Sequence, residues 1–248
     1  MITLQQLMSP VRRAVSDFNM IKSGDKIAVG LSGGKDSIAL LSALAGLRRF
    51  YPEKFDIVAV RIDTGIGYDK QEEQALVEYC KEINVDYHIE KTEIYQVVFE
   101  ERKEKNPCSL CANMRRGALN STAKKLGCNK VALGHHADDL IETFFLSMIY
   151  EGRLSTFHPV TYLSKADLYV IRPLVYVKEH EIVSFSKDKP ILKNPCPVDK
   201  YTQREEVKKT IKELSEKYPL LKDNVFNALV DDKRHNLIKK PLETSEKK

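Results

Sequence analysis

Lys26-Ile27-Ala28-Val29-Gly30-Leu31 runs straight into Ser32-Gly33-Gly34-Lys35-Asp36-Ser37. The apolar run reads as a buried strand, and the segment Ser37 to Phe50 that follows reads as a helix. A loop between a strand and a helix N-terminus is where open α/β sheets bind ligands. Two glycines let backbone N–H groups close on phosphate oxygens, and Lys35, Ser32 and Ser37 add donors. A Walker loop needs four residues between its glycines, but only three separate Gly30 from Gly34-Lys35, and Asp36 stands where that loop carries its magnesium-binding hydroxyl. A dinucleotide fingerprint is broken at Gly30-Leu31-Ser32.

Outward from this loop, strands and helices alternate. Phe55 to Ile62 is a second strand, Lys70 to Ile83 an amphipathic helix, and Asp86 to Glu90 a short third strand. Ala112 to Leu126 is a helix stopped by Gly127, Lys130 to Leu133 a fourth strand, and Asp138 to Tyr150 another helix. Leu168 to Ile171 and Lys178 to Phe185 suggest one more strand and helix. This order implies an α/β fold with a doubly wound, mostly parallel sheet. Met1 to Asn19 is a lead-in helix, Arg204 to Tyr218 and Lys222 to Leu229 form a helical C-terminal extension, and Glu243 to Lys248 is a polar tail. The divisions expected are 1–25, 26–200 and 201–248, without independent domains.

The string SGGKDS, in this context, resembles the PP-loop of ATP pyrophosphatases, which cleave ATP to AMP and pyrophosphate. A second strand-to-helix loop, Leu133-Gly134-His135-His136-Ala137-Asp138-Asp139, is similar to the block that faces the nucleotide in that group. Asp138 or Asp139 can hold Mg²⁺ through oxygen, the donor it prefers, and either can also cap the helix. Asp63, just past the second strand, reads as a ribose or adenine contact or as a turn residue.

The 248 residues are 42% hydrophobic, enough for a substantial core, and 30% charged. No apolar run has the length of a membrane helix, and the first residues lack a basic then apolar leader, so a cytoplasmic location and no membrane partner are expected. The net charge of +5 is unevenly placed: Glu101 to Lys130 holds eight basic and two acidic residues. Arg102, Lys103, Lys105, Arg115, Arg116, Lys124 and Lys125 are the candidate track for a polyanionic partner, against the plain reading of a solvated helix face. Lys208, Lys209, Lys212 and Lys217 could extend it, although their interleaving with glutamates equally fits an ordinary exposed helix.

Five cysteines and no export signal argue against a disulfide framework. Cys80 and Cys128 read as small buried apolar residues. Cys108-Ser109-Leu110-Cys111 stands just before a helix, and Cys196 follows 85 residues later. A redox dithiol, a structural zinc site and a three-cysteine iron–sulfur site all remain open.

Taken in order, SGGKDS, CSLCANMRRGALN (Cys108 to Asn120), LGHHADDLIETFF (Leu133 to Phe145), Arg172-Pro173-Leu174 and Pro195-Cys196 closely resemble the tRNA 2-thiocytidine synthetase family (TtcA), from about Lys26 to Cys196. The resemblance implies an adenine nucleotide alpha hydrolase-like fold and an ATP-dependent tRNA sulfurtransferase that adenylates C2 of an anticodon-loop cytidine and replaces its oxygen by sulfur. It implies ATP, Mg²⁺ and a [4Fe–4S] cluster as cofactors, with Cys108, Cys111 and Cys196 as cluster ligands. Ser32, Gly33, Gly34, Lys35, Asp36 and Ser37 would hold ATP with Asp63, Gly134 and His135, and Asp36 and Asp138 the Mg²⁺. Asp36, Arg115, Asp138 and Asp139 are the implied catalytic residues. Partners would be tRNA, a sulfur donor (a cysteine desulfurase or inorganic sulfide) and a second copy of the chain. Two departures mark a variant branch: Pro195-Cys196-Pro197-Val198-Asp199 lacks the family's additional cysteine, and Met8 to Arg13 differs. The alternatives are a tRNA-modifying ligase of lysidine-synthetase or thiouridine type acting on another base, and a non-catalytic iron–sulfur sensor.

Overall fold

In the computed structural model, which describes residues 1–102, 107–193, 195–196, 203–235 and 237, the strand that opens the sequence argument is β1 (Asp25–Gly30). Among the described residues it lies inside a six-stranded sheet. It pairs in parallel with β2 (Phe55–Asp63) on one side and β4 (Lys130–Ala132) on the other. β3 (Asp86–Lys91) continues the parallel sheet beyond β2, and β6 (Leu168–Ile171) continues it beyond β4. β5 (Val160–Leu163) runs antiparallel to β6 at the edge, giving the order β3-β2-β1-β4-β6-β5. β5 was not expected: its four residues follow Pro159, and their partial burial leaves no apolar signature.

Strand order reverses between β1 and β4, so the loops leaving their carboxyl ends flank one crevice. Ile27 and Val29 face a core closed by α1 (Leu4–Asp17), α2 (Lys35–Arg48), α3 (Lys70–Glu82) and α6 (Glu179–Phe185). Ala28 faces the opposite way, against Leu119 and Ala123 of α4 (Pro107–Lys125). A strand buried on both faces must be apolar throughout, which is why KIAVGL reads so clearly. α2 is buried on nearly all sides, from Ser37 to Ala45. α1 contributes Leu7, Val11, Ala14 and Val15 to the same core, and Met8 packs where a side chain on Gly46 would stand.

α5 (Ala137–Glu151) carries the second loop block into the fold. α7 (Gln203–Lys217) buries Val207 and Ile211 against Ile141, with Phe226 of α8 (Leu221–Val230) packed beside them. Two local features differ from expectation. α4 starts at Pro107, because proline suits a first helical position, so the two cysteines lie within its first turns rather than ahead of it. Gln96–Glu101 forms a π-helix that no periodicity announced. None of the described helices is long and apolar enough to cross a membrane.

Candidate functional site: a nucleotide cavity beside a three-cysteine cavity

Gly33 has φ +84°, a conformation glycine adopts without strain. Leu192 lies against it, and a Cβ on Gly33 would fall 2.4 Å from the Leu192 side chain. The Leu192 N–H donates to the Gly33 carbonyl at 2.9 Å, and the Lys193 N–H donates to Glu72 at 2.9 Å. These contacts fix the chain four residues before Cys196 onto the phosphate loop and α3.

Within the loop, the Gly34 N–H donates to Ser32 Oγ at 3.3 Å, and Ser37 Oγ donates to the Gly34 carbonyl at 2.9 Å. Lys35 Nζ lies 2.8 Å from Asp36 and 3.3 Å from Glu179. Burial would lower the Lys35 ammonium, but the Asp36 and Glu179 carboxylates outweigh it and hold the pKa above the usual lysine range. Gly134 allows the second loop to approach: a Cβ there would sit 3.1 Å from the Asp36 backbone. Together Ser32, Asp36, Ser37, Gly134, His135, Asp139 and Arg115 line a cavity of about 320 Å³ whose wall includes Val60 and Ile62.

His136 and Asp139 cap α5 reciprocally: the His136 N–H donates to Asp139 at 3.0 Å, and the Asp139 N–H donates to His136 Nδ1 at 3.4 Å. With Nδ1 accepting, Nε2 carries the proton, and it stands 3.7 Å from Asp36 and 3.5 Å from Asp139. Arg204 of α7 also reaches Asp139, at 2.9 Å.

Asp138 lies apart from the other carboxylates of the two loops. Its two oxygens accept from Lys222 Nζ and from the Glu179 N–H, both at 2.7 Å, and it does not line the nucleotide cavity. Burial would raise its pKa, but Lys222 and the Glu179 N–H hold it below the usual carboxylate range. Asp138 is therefore the anchor for α6 and α8. The carboxylates that flank the nucleotide cavity are Asp36 and Asp139, a pair of hard oxygen donors of the kind Mg²⁺ takes together with phosphate oxygens. Asp63 is likewise a turn residue: its carboxylate accepts from the Gly65 N–H at 3.0 Å, and it does not line the cavity.

A second cavity, of about 190 Å³, is lined by Cys108, Cys111 and Cys196 together. Tyr68, Tyr95 and Phe99 wall it, and the π-helix supplies Phe99. Among the described residues no three His, Cys, Asp or Glu side chains form a group set to hold a metal ion. The donor set is nonetheless three soft thiols and no imidazole, which suits an iron–sulfur cluster better than the mixed ligands of many zinc sites. Burial pushes the Cys111 thiol pKa up, while Arg115 pulls it down. Cys80 and Cys128 are buried in the cores, and burial raises both, Cys80 to about 11.

Arg115 lines both cavities. It is thus a wall residue of both cavities, although its side chain is also exposed at the surface. Part of the remaining basic segment is otherwise engaged. Lys124 pairs with Asp167, Lys125 with Glu90, and Lys130 is buried against Asp25. Lys208 pairs with Glu179. Arg116 is exposed on α4, Arg102 follows the π-helix, and Lys103 and Lys105 lie outside the described residues. Sequence reasoning missed Arg204 and Lys222, because no spacing in α7 or α8 marks which cation turns inward.

A PP-loop domain family model matches residues 4–193. The chain is 41% identical over 233 residues to a tRNA-cytidine(32) 2-sulfurtransferase of Geobacter sulfurreducens, covering 92% of this chain and 90% of that one. It is 39% identical to the protein of the same name from Geobacter metallireducens, covering 96% and 94%. Among solved structures, the U34-tRNA thiolase NcsA from Methanococcus maripaludis with its [4Fe-4S] cluster superimposes with a TM-score of 0.73 at 26% identity, over 90% of this chain and 76% of that one. With Asp36 and Asp139 lining the cavity at its phosphate loop and Cys108, Cys111 and Cys196 lining the next, the chain belongs to the PP-loop domain family and, within it, to the tRNA-cytidine(32) 2-sulfurtransferases.

Proposed function

We propose that the protein is an ATP-dependent tRNA sulfurtransferase that converts an anticodon-loop cytidine, residue 32 by analogy with its relatives, to 2-thiocytidine. The observation that carries this reading is that Arg115 borders both the nucleotide cavity and the cavity of the three cysteines. Activation and sulfur delivery then act on one base in one crevice.

The backbone N–H groups of the glycine loop, with Lys35, Ser32 and Ser37, bind the pyrophosphate portion of ATP. Asp36 and Asp139 would hold Mg²⁺, which supplies positive charge beside the phosphates. The cytosine C2 oxygen attacks the α-phosphorus, the bond to the β-phosphate breaks, and pyrophosphate leaves with the electron pair. A sulfur nucleophile adds at C2, and AMP departs with the former base oxygen. Cys108, Cys111 and Cys196 would hold a [4Fe–4S] cluster, which supplies an iron with a position open to an external sulfur ligand. Arg115 places a cation between the two chemistries, where the adenylate phosphate is displaced. A cysteine desulfurase or inorganic sulfide as donor, contact of Arg116 and Arg102 with tRNA phosphates, a homodimer through the first helix and a cytoplasmic location complete the reading.

The test is anaerobic reconstitution with iron and sulfide, followed by iron and acid-labile sulfide counts and nucleoside analysis of tRNA treated with ATP and sulfide. Wild type should hold about four irons and four sulfides and form 2-thiocytidine, and Cys108→Ala and Cys196→Ala should lose both. A Cys196→Ala protein that keeps the cluster and the product would exclude the three-cysteine site. An amine ligase would be indifferent to Cys108.

A further inference from the structure

The Arg172-Pro173-Leu174 motif has no part in the chemistry above. Arg172 is nevertheless built into the site from behind. Its Nε donates to His135 Nδ1 at 3.2 Å, and its Nη1 donates to the His158 carbonyl at 2.6 Å and to Thr161 Oγ1 at 3.3 Å. Its guanidinium also stacks over Phe157, 5.1 Å from the ring centroid, and the His135 ring lies 5.1 Å from the same ring. No carboxylate pairs with Arg172 among the described residues.

A guanidinium only donates hydrogen bonds. His135 Nδ1 must therefore present its lone pair to Arg172, which leaves the imidazole proton on Nε2. A second proton at Nδ1 would set N–H against N–H beside an uncompensated positive charge. His135 itself lines the nucleotide cavity. We infer that Arg172 is a positioning residue that locks His135 as a neutral imidazole, so that its Nε2–H serves as a fixed hydrogen-bond donor to an oxygen of the bound nucleotide. The proton stays on Nε2 throughout, and no proton transfer is involved. A neutral donor adds recognition to a cavity that already holds Arg115, Asp36 and Asp139, without adding a charge that varies with pH. This inference rests only on the ATP-binding half of the proposed function.

The surroundings agree. Burial, then Arg172, push the His135 pKa down to about 4; Arg204 of α7 and His136 of α5 push the same way, and only Asp139 of α5 opposes them. Arg116 of α4 lies close enough to Arg172 to depress it in turn, after burial.

Two measurements test the inference, and neither needs tRNA. In ¹⁵N NMR of the imidazole rings, His135 should show a protonated Nε2 and an unprotonated, hydrogen-bonded Nδ1 from pH 5 to 8. A proton on Nδ1, or a midpoint in the ordinary histidine range, overturns it. The second is affinity for Mg²⁺ and α,β-methylene ATP. His135→Asn keeps an acceptor for Arg172, but its own N–H groups fall short of the Nε2 position, and it should weaken binding by roughly tenfold. His135→Gln restores an N–H at similar reach and should bind within about twofold of wild type. If Asn binds as well as wild type, His135 is only a spacer and the inference fails. Arg172→Gln should make the affinity newly pH-dependent around pH 6.5, as His135 gains a charge. An unchanged pH profile in a folded variant removes Arg172 from the role. Absence of thiolation with every tRNA would count against the proposed function while leaving these readouts intact.

Discussion

Leu192 both donates its backbone N–H to the Gly33 carbonyl and fills the space where a Gly33 side chain would stand. Glycine is required there twice, by the positive φ and by the contact. Gly33→Ala should destabilise the protein by roughly 1–3 kcal/mol through overpacking and backbone strain. It should also impair ATP binding and cluster retention together, because the displaced segment leads to Cys196. Calorimetric unfolding with nucleotide titration and iron counting would check this. Loss of ATP binding with full iron content would show that the two sites are not linked through Leu192.

The two aspartates of the second loop should separate under mutation. Asp139→Asn should raise the Mg²⁺ concentration needed for pyrophosphate release by about tenfold or more. Asp138→Asn should leave that requirement near wild type but lower stability by roughly 1–3 kcal/mol, since Lys222 and the Glu179 N–H lose a charged acceptor. Magnesium titrations and urea unfolding of both variants decide the matter. An Asp138→Asn protein with the larger magnesium defect would reverse the assignment.

Glu142 gives the protein a pH-dependent weakness. It is buried, and burial outweighs the nearby Arg204 to raise its pKa to about 7, with Asp139 adding to the rise. Between the ordinary glutamate range and pH 7 the folded state therefore binds more protons than the unfolded chain, and stability falls as pH rises through that window. The loss is on the order of 3 kcal/mol and is complete above the folded pKa. Glu142→Gln removes the titration, so the variant should gain on wild type between pH 5 and 8 by about that amount. Parallel stability curves from urea unfolding at the two pH values would contradict it.

Arg115→Ala should divide assembly from turnover. Neither cavity depends on Arg115 for its backbone framework, so reconstituted iron content and ATP affinity should stay within about threefold of wild type. Formation of 2-thiocytidine should fall by roughly a hundredfold, the loss expected when a charged group at the reacting centre is removed. Measuring product against iron content in one preparation is sufficient. A proportional loss of both would make Arg115 a structural support of the cysteine cavity.

The legibility of the molecule followed the range of its interactions. β1 and its loop stood out because one short stretch holds a doubly buried strand, two glycines and a helix start. The Cys108 and Cys111 pair was equally local. Cys196 could be joined to them only through the family likeness, since its approach depends on Leu192 and Lys193 meeting Gly33 and Glu72 across the fold. The choice between Asp138 and Asp139 was hidden for the same reason: neighbours in sequence point about 100° apart at a helix N-terminus, and Lys222 shows which one faces α8 only once that helix is placed. In the basic segment the sequence shows charge and not pairing. Lys124, Lys125 and Lys130 count as charge in a sequence, but their partners Glu90, Asp167 and Asp25 come from other strands and turns.

Cys108, Cys111 and Arg115 occupy positions i, i+3 and i+7 of α4, a single stripe along one helix. The helix therefore works as a ruler between sulfur chemistry and phosphate chemistry, graduated at about 1.5 Å and 100° per residue. Its graduations tolerate a change of side chain on the far face and do not tolerate a change of count. One residue inserted between Cys111 and Arg115 lengthens the gap by only about 1.5 Å but swings the guanidinium about 100° away from both cavities. Along this segment, drift in composition is cheap and drift in length is not.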